Sequence, residues 1–182
     1  MSFDSINSEI SNFVQSCVAL SIIPSTQRII ISIQRQRLFL INDNSLLKEY
    51  VISTSKRPPS CLENSFGTPT GLHKIADKIG SGEPKGTVFK ARVPQEYTYS
   101  DVSADEAKLN LITSRILRVK GLDPSLNSGN SKDSYNRYIY IHGTNHESKL
   151  GTPFSNGCIE IANLDIIELF DLVSADTLIW ID

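Results

Sequence analysis

The sequence predicts a mainly-β domain, a sandwich or barrel with an N-terminal helix and a short C-terminal helix. Three observations carry this. Short β-branched segments alternate with turn chemistry along most of the chain, only two stretches have helical periodicity, and no repeat or low-complexity segment breaks the pattern. A chain of 182 residues supports one sizeable core and is short for two. The expected division is a helical segment, residues 1–24, packed on a domain of residues 25–182.

Residues 5–20 form the first helix, because Ile6, Ile10, Phe13, Val14, Cys17 and Leu20 recur at spacings of three and four, and Pro24 stops it. From Arg28 the pattern changes. Ile29, Ile31 and Ile33 alternate, Leu38 to Ile41 follow, Asn42-Asp43-Asn44-Ser45 supplies a turn, and the chain returns through Leu46 to Ser53. Residues 55–71 hold three prolines and two glycines and read as a long functional loop. Strands are expected at 72–79 and 87–92, separated by Gly80-Ser81-Gly82-Glu83-Pro84, and an apolar β-branched run covers 109–119. Residues 121–133 are turn-rich, and 137–141 is a strong strand signal that should end at Gly143. Asn163 is placed to cap a helix whose Ile166, Leu169, Phe170 and Val173 make one apolar stripe, and residues 177–181 close the chain as a strand.

A net charge of −2 gives no reason to expect nucleic acid or an anionic membrane surface as partner. No apolar run reaches the ~18 residues a membrane span needs. Asp4 and Glu9 precede the first basic residue, Arg28, which is the wrong charge pattern for an export signal. Cys17, Cys61 and Cys158 form no CxxC pair, and three reduced thiols is the simplest state of an odd set.

Of the three histidines, His142 and His146 lie within sixteen positions of Cys158. A free thiol with pKa of ~8.5 is only a few per cent thiolate at neutral pH, and an adjacent imidazole can take its proton to leave a thiolate–imidazolium pair. Bringing the thiol to 7 requires roughly 2 kcal/mol of differential stabilisation. The imidazole needs an orienting group, for which the Gly143 carbonyl is the candidate. Gly157 would let its own N–H and that of Cys158 face a developing oxyanion. Against this stands the ordinary role of a cysteine as a small buried core residue, which fits Cys17 on the inner stripe of the first helix. Cys61 is expected exposed in the long loop, and His73 is expected to be a satisfied structural histidine.

The surrounding motif decides for Cys158. Ile139-Tyr140-Ile141-His142-Gly143-Thr144-Asn145, Leu150-Gly151 and Ser155-Asn156-Gly157-Cys158-Ile159 together resemble the active-site signature of the L,D-transpeptidase catalytic domain, the YkuD-like family. Val51-Ile52-Ser53-Thr54, Thr68-Pro69-Thr70-Gly71 and Asn163-Leu164-Asp165 are similar to further family features, so the resemblance covers roughly residues 28–181. It implies the family's mainly-β fold, peptidoglycan stem peptides or soluble muropeptides as partners, and no cofactor. It also implies attack at the L,D bond between the third stem residue and D-Ala, then transfer of the acyl group to an amine (transpeptidase) or to water (L,D-carboxypeptidase). By motif position Cys158 is the nucleophile, His142 the base and later acid, Gly143 the orienter and Gly157 part of the oxyanion site. Ser155, Asn156 and Thr144 are the expected substrate-facing residues. Family members usually work in the periplasm or cell wall, whereas the visible N-terminus is compatible with the cytoplasm.

Two departures stand out. Asn156 occupies a variable position. Glu160 stands where the family usually has Arg; if buried, that sign reversal changes local pairing by several kcal/mol, and if solvent-facing it matters little. Two other functions compete: a non-catalytic muropeptide-binding domain, and a metal site from His142, His146 and Cys158. The second lacks a fourth ligand, and Gly143-Thr144 makes the required helix improbable.

Overall fold

The structure, a computed structural model, describes residues 6–182. The elements in chain order are α1 (Asn7–Ala19), β1 (Gln27–Ser32), β2 (Arg37–Asn42), β3 (Ser45–Ser53), β4 (Gly71–Ile79), β5 (Thr87–Lys90), β6 (Val93–Thr98), β7 (Ile112–Gly121), β8 (Tyr140–Thr144), β9 (Ile159–Ile161), α2 (Asn163–Leu172) and β10 (Leu178–Ile181). All ten strands join one sheet in the order β4-β10-β1-β2-β3-β9-β8-β7-β5-β6, and β4 also pairs with β7. That extra pairing closes eight strands into a ring, which removes their edges, and leaves the β5–β6 hairpin attached to the outer side of β7. The expected mainly-β fold is therefore what forms.

The sheet is buried on both faces, which explains why β1 carries Ile29, Ile30 and Ile31 in succession rather than apolar residues at alternate positions only. Ile29, Ile31, Leu38 and Leu40 turn to the main core, where Ile141, Ile159 and Ile161 meet Ile166, Leu169 and Phe170 of α2. Ile30, Phe39 and Ile41 turn the other way, against Phe13 and Cys17 of α1. Each such side chain removed from water contributes about 1.5–3 kcal/mol. Residue 5, the first of the predicted helix, lies outside the described residues, and Val14 is exposed rather than part of the packed stripe. The second stripe holds, since Ile166, Leu169, Phe170 and Val173 are all buried.

Four local expectations change. The strand expected at 137–141 is β8, shifted to Tyr140–Thr144. Arg137 is drawn toward the long loop by bonds to the Ser60 and Gly67 carbonyls, and Tyr138 has φ +57. The strand also runs through Gly143, because a Cβ there would stand 2.6 Å from the Thr113 carbonyl oxygen; this glycine permits close pairing of β7 and β8. Asn163 does not cap α2, whose N-cap is Ala162; its side chain is engaged elsewhere. Cys61 is buried, with its thiol directed at the Thr70 carbonyl at 3.7 Å, and all three cysteines are free. Strand β6 lacks apolar alternation and is held by pairing with β5.

Candidate active site

The parallel neighbours β8 and β9 place His142 opposite Glu160. Side chains alternate across a strand, so Ile141, Ile159 and Ile161 enter the core while His142 and Glu160 share the other face. Cys158, two residues before Glu160, falls on that face too, beside the small cluster of Phe89, Ile116 and Tyr140. With strands ~4.8 Å apart and ~3.3 Å of rise per residue, the Cys158 and His142 backbones stand about 8 Å apart on the diagonal. Their side chains share one face of the sheet. Both line one cavity of about 160 Å³, together with Asn110, Ile112, Asn156 and Glu160.

The His142 ring is buried, with Nδ1 2.8 Å from the Gly143 carbonyl oxygen. A carbonyl only accepts, so Nδ1 carries the proton and Nε2 keeps its lone pair for the cavity. Burial lowers the His142 pKa, against the opposing pull of the Glu160 charge and the Gly143 bond, so the ring is a neutral base. The half-buried Cys158 thiol donates to the Tyr138 carbonyl at 3.6 Å. Burial pushes it up to about 12; the Tyr140 backbone N–H at the sulfur and the Arg137 charge pull it down, while Glu160 pushes it further up. The resting pair is thus a thiol and a neutral imidazole rather than the ion pair that the sequence suggests, because burial disfavours the charged form of each group.

The loop that leads to Cys158 is tightly built. Gly157 has φ +123, and a Cβ there would crowd Ile139 Cδ1 at 3.3 Å and the Gly67 carbonyl oxygen at 3.4 Å. Its N–H donates to Ser155 Oγ at 3.2 Å, so within the loop that donor is engaged rather than facing the cavity. Ser155 is fully buried, its hydroxyl donating to the Cys158 carbonyl at 2.6 Å. Thr144 is fully buried as well, its hydroxyl accepting from the His146 N–H. The hydroxyls of Ser155 and Thr144, expected to face substrate, are thus each engaged within the protein, at the loop and at the end of β8. Asn156 does face the cavity, and also a larger one of about 360 Å³ lined by Glu63, Asn64, Phe66, Asn136, Arg137, Tyr138 and Ile139. Asn156 is the one residue that lines both cavities.

Asn110 and Arg137 escape the sequence reading as parts of the site, and Asn163 is read there only as a helix cap and family feature. Asn163, buried, accepts from the Thr113 and Ser114 hydroxyls and donates to the Thr144 carbonyl and Glu147, tying β7, the end of β8 and the start of α2 together. Asn110 donates to Glu160. Arg137 stitches the long loop to the strand that bears the histidine. None carries a local signal, since each acts across 16 to 77 positions of sequence. Glu160 is fully buried, which removes the solvent-facing alternative. Glu160 sits between two isoleucines of β9, and the register with β8 sets it opposite His142.

The remaining histidines take other places. His73 is fully buried, bonded to the Gly71 carbonyl and Ser134 Oγ, and burial drops its pKa to about 4. His146 packs its ring edge-on to Phe154 and does not line the cavity. Among the described residues no group of three or more His, Cys, Asp and Glu side chains is arranged to hold a metal ion, and no helix is long and apolar enough to cross a membrane.

Comparison with known proteins places this geometry. The family model of the L,D-transpeptidase catalytic domain (YkuD) matches residues 26–181. No curated protein matches the sequence. Among solved structures, the chain is similar to an L,D-transpeptidase from Mycobacterium smegmatis, with 16% identity and TM-score 0.54, covering 87% of this chain and 59% of the other. Similar too are L,D-transpeptidase 3 from Mycobacterium tuberculosis, solved with a faropenem-derived adduct (12%, TM-score 0.54, 86% and 60%), and a mutant of the Enterococcus faecium L,D-transpeptidase (14%, TM-score 0.54, 87% and 50%). At these identities the likeness shows a shared fold, and the chain spans 50 to 60% of the length of these three proteins. The match to the family model over residues 26–181 shows that the chain belongs to the L,D-transpeptidase catalytic-domain family.

Proposed function

We propose that the protein transfers the acyl group of a peptidoglycan tetrapeptide stem through a thioester on Cys158. The observation that carries this is the shared cavity, into which Cys158 and His142 project from adjacent parallel strands, the ring held in one tautomer by Gly143. Cys158 Sγ attacks the carbonyl carbon of the third stem residue while its proton moves to His142 Nε2. The C–N bond to D-Ala then breaks, and His142 returns the proton to the leaving amine. Proton transfer accompanies attack, because forming the thiolate first at pH 7, with the thiol at about 12, would cost about 7 kcal/mol. The acyl-enzyme passes next to an amine or to water. Of the two N–H groups expected at the oxyanion, that of Cys158 is the candidate left once Gly157 is engaged by Ser155. Residues 25–182 act as the catalytic unit, with α1 as its cover.

Incubation with a disaccharide tetrapeptide and mass analysis of the products tests this. Tripeptide products mark L,D-carboxypeptidase activity and cross-linked dimers mark transpeptidase activity. Intact substrate after incubation with folded protein contradicts both and leaves the muropeptide-binding alternative.

A further inference from the structure

Glu160 is fully buried on the wall of the Cys158–His142 cavity. Asn110 Nδ2 donates to its Oε1 and fixes the carboxylate, while Oε2 has no hydrogen-bond partner among the described residues. None of the ion pairs among those residues includes Glu160. Buried carboxylates are otherwise paired or fully hydrogen-bonded, because removing an isolated charge from water is strongly unfavourable. An unpartnered oxygen beside the reacting groups therefore calls for a ligand that supplies both a donor and a positive charge.

Water supplies only a donor, and an anionic group would be repelled by the carboxylate. A primary ammonium supplies charge and donor together. Resting on the acyl-transfer reading, we infer that Glu160 is a specificity-determining residue that receives the cationic amine acceptor of the second half-reaction. In that step the ammonium yields one proton to the Glu160 carboxylate, and its nitrogen attacks the thioester carbonyl carbon. The C–S bond breaks as the amide forms, and a second N–H proton passes through His142 to the sulfur. Glu160 then releases its proton to solvent.

The test uses the full chain, a tetrapeptide stem donor, and methylamine and hydroxylamine together at neutral pH, where the first is mostly a cation and the second mostly neutral. The readout is the methylamide to hydroxamate product ratio, compared with the ratio from the same acyl group on a small free thiol. Because both products arise from one acyl-enzyme, the ratio does not depend on how fast that species forms. The expected result is a ratio at least tenfold above the free thioester for the wild-type protein, falling to near the free value in Glu160→Gln. A wild-type ratio equal to that of the free thioester, or hydrolysis as the only outcome, overturns the assignment of Glu160 while leaving acyl transfer in place. An enriched ratio that folded Glu160→Gln retains overturns it equally. No acyl-enzyme at all overturns the acyl-transfer reading and this inference with it.

Discussion

Asn163→Ala should be among the most destabilising single substitutions outside the hydrophobic core. The side chain is 1% exposed and makes four hydrogen bonds, two accepted by Oδ1 from Thr113 and Ser114 and two donated by Nδ2 to the Thr144 carbonyl and Glu147. The alanine variant keeps only the backbone bond to Glu147. At about 1 kcal/mol net per bond, with partners left unsatisfied in a dry interior, the loss is about 4 kcal/mol. For a domain of this size that corresponds to a fall in Tm of roughly 8–16 °C. Urea unfolding or calorimetry reads this directly, with Leu164→Ala as the control on the same helix, since Leu164 is 66% exposed and should change stability by no more than ~0.5 kcal/mol. A loss under ~1 kcal/mol for Asn163→Ala, or one equal to the control, would refute the view that this residue locks β7, β8 and α2 into the frame of the site.

Other consequences can be checked separately. His73 takes a proton in the unfolded chain below about 6.5 but in the folded protein only near 4; its contribution is therefore complete above 6.5 and lost as pH falls toward 4, by about 3 kcal/mol. Urea titrations at both ends of that window should show the loss in wild type and a flatter profile in His73→Asn; parallel profiles would contradict it. With the Cys158 thiol up at about 12, its iodoacetamide alkylation rate should keep rising above the pH where free cysteine levels off, while Cys17 and Cys61 stay unlabelled in the folded protein. A plateau like that of free cysteine would show the sulfur is not held as described. Gly143→Ala sets a Cβ 2.6 Å from the Thr113 oxygen and 2.7 Å from Asn163 Oδ1, so a loss of about 3 kcal/mol or more, or failure to yield soluble protein, is expected; wild-type stability on urea unfolding would contradict the close pairing of β7 and β8.

What the sequence reveals and what it hides divide along a physical line. Periodicity of 3.6 identifies both helices, and apolar β-branched runs bounded by turn residues identify most strands, because local burial patterns set them. The proposed nucleophile and base are legible because a glycine-flanked cysteine and a strand-borne histidine fall within a known signature. The loop and hub residues are not. Ser155 and Thr144 read as substrate-facing polar groups, yet their hydroxyls close bonds within the protein. Asn163 reads as a helix cap, yet bridges segments 16 to 50 positions away. The buried state of Glu160 depends on the parallel register of β8 and β9, which no local pattern specifies. The rise in the thiol pKa follows from that same burial and from the sign of Glu160.

The most direct test of the Cys158–His142 partnership is the intact mass of the protein after exposure to a carbapenem, followed in time and mapped to a peptide. One covalent equivalent on Cys158 is expected, absent in Cys158→Ala and forming ~100-fold or more slowly in folded His142→Ala. An adduct on Cys61, no adduct, or an acylation rate indifferent to His142 would contradict the account.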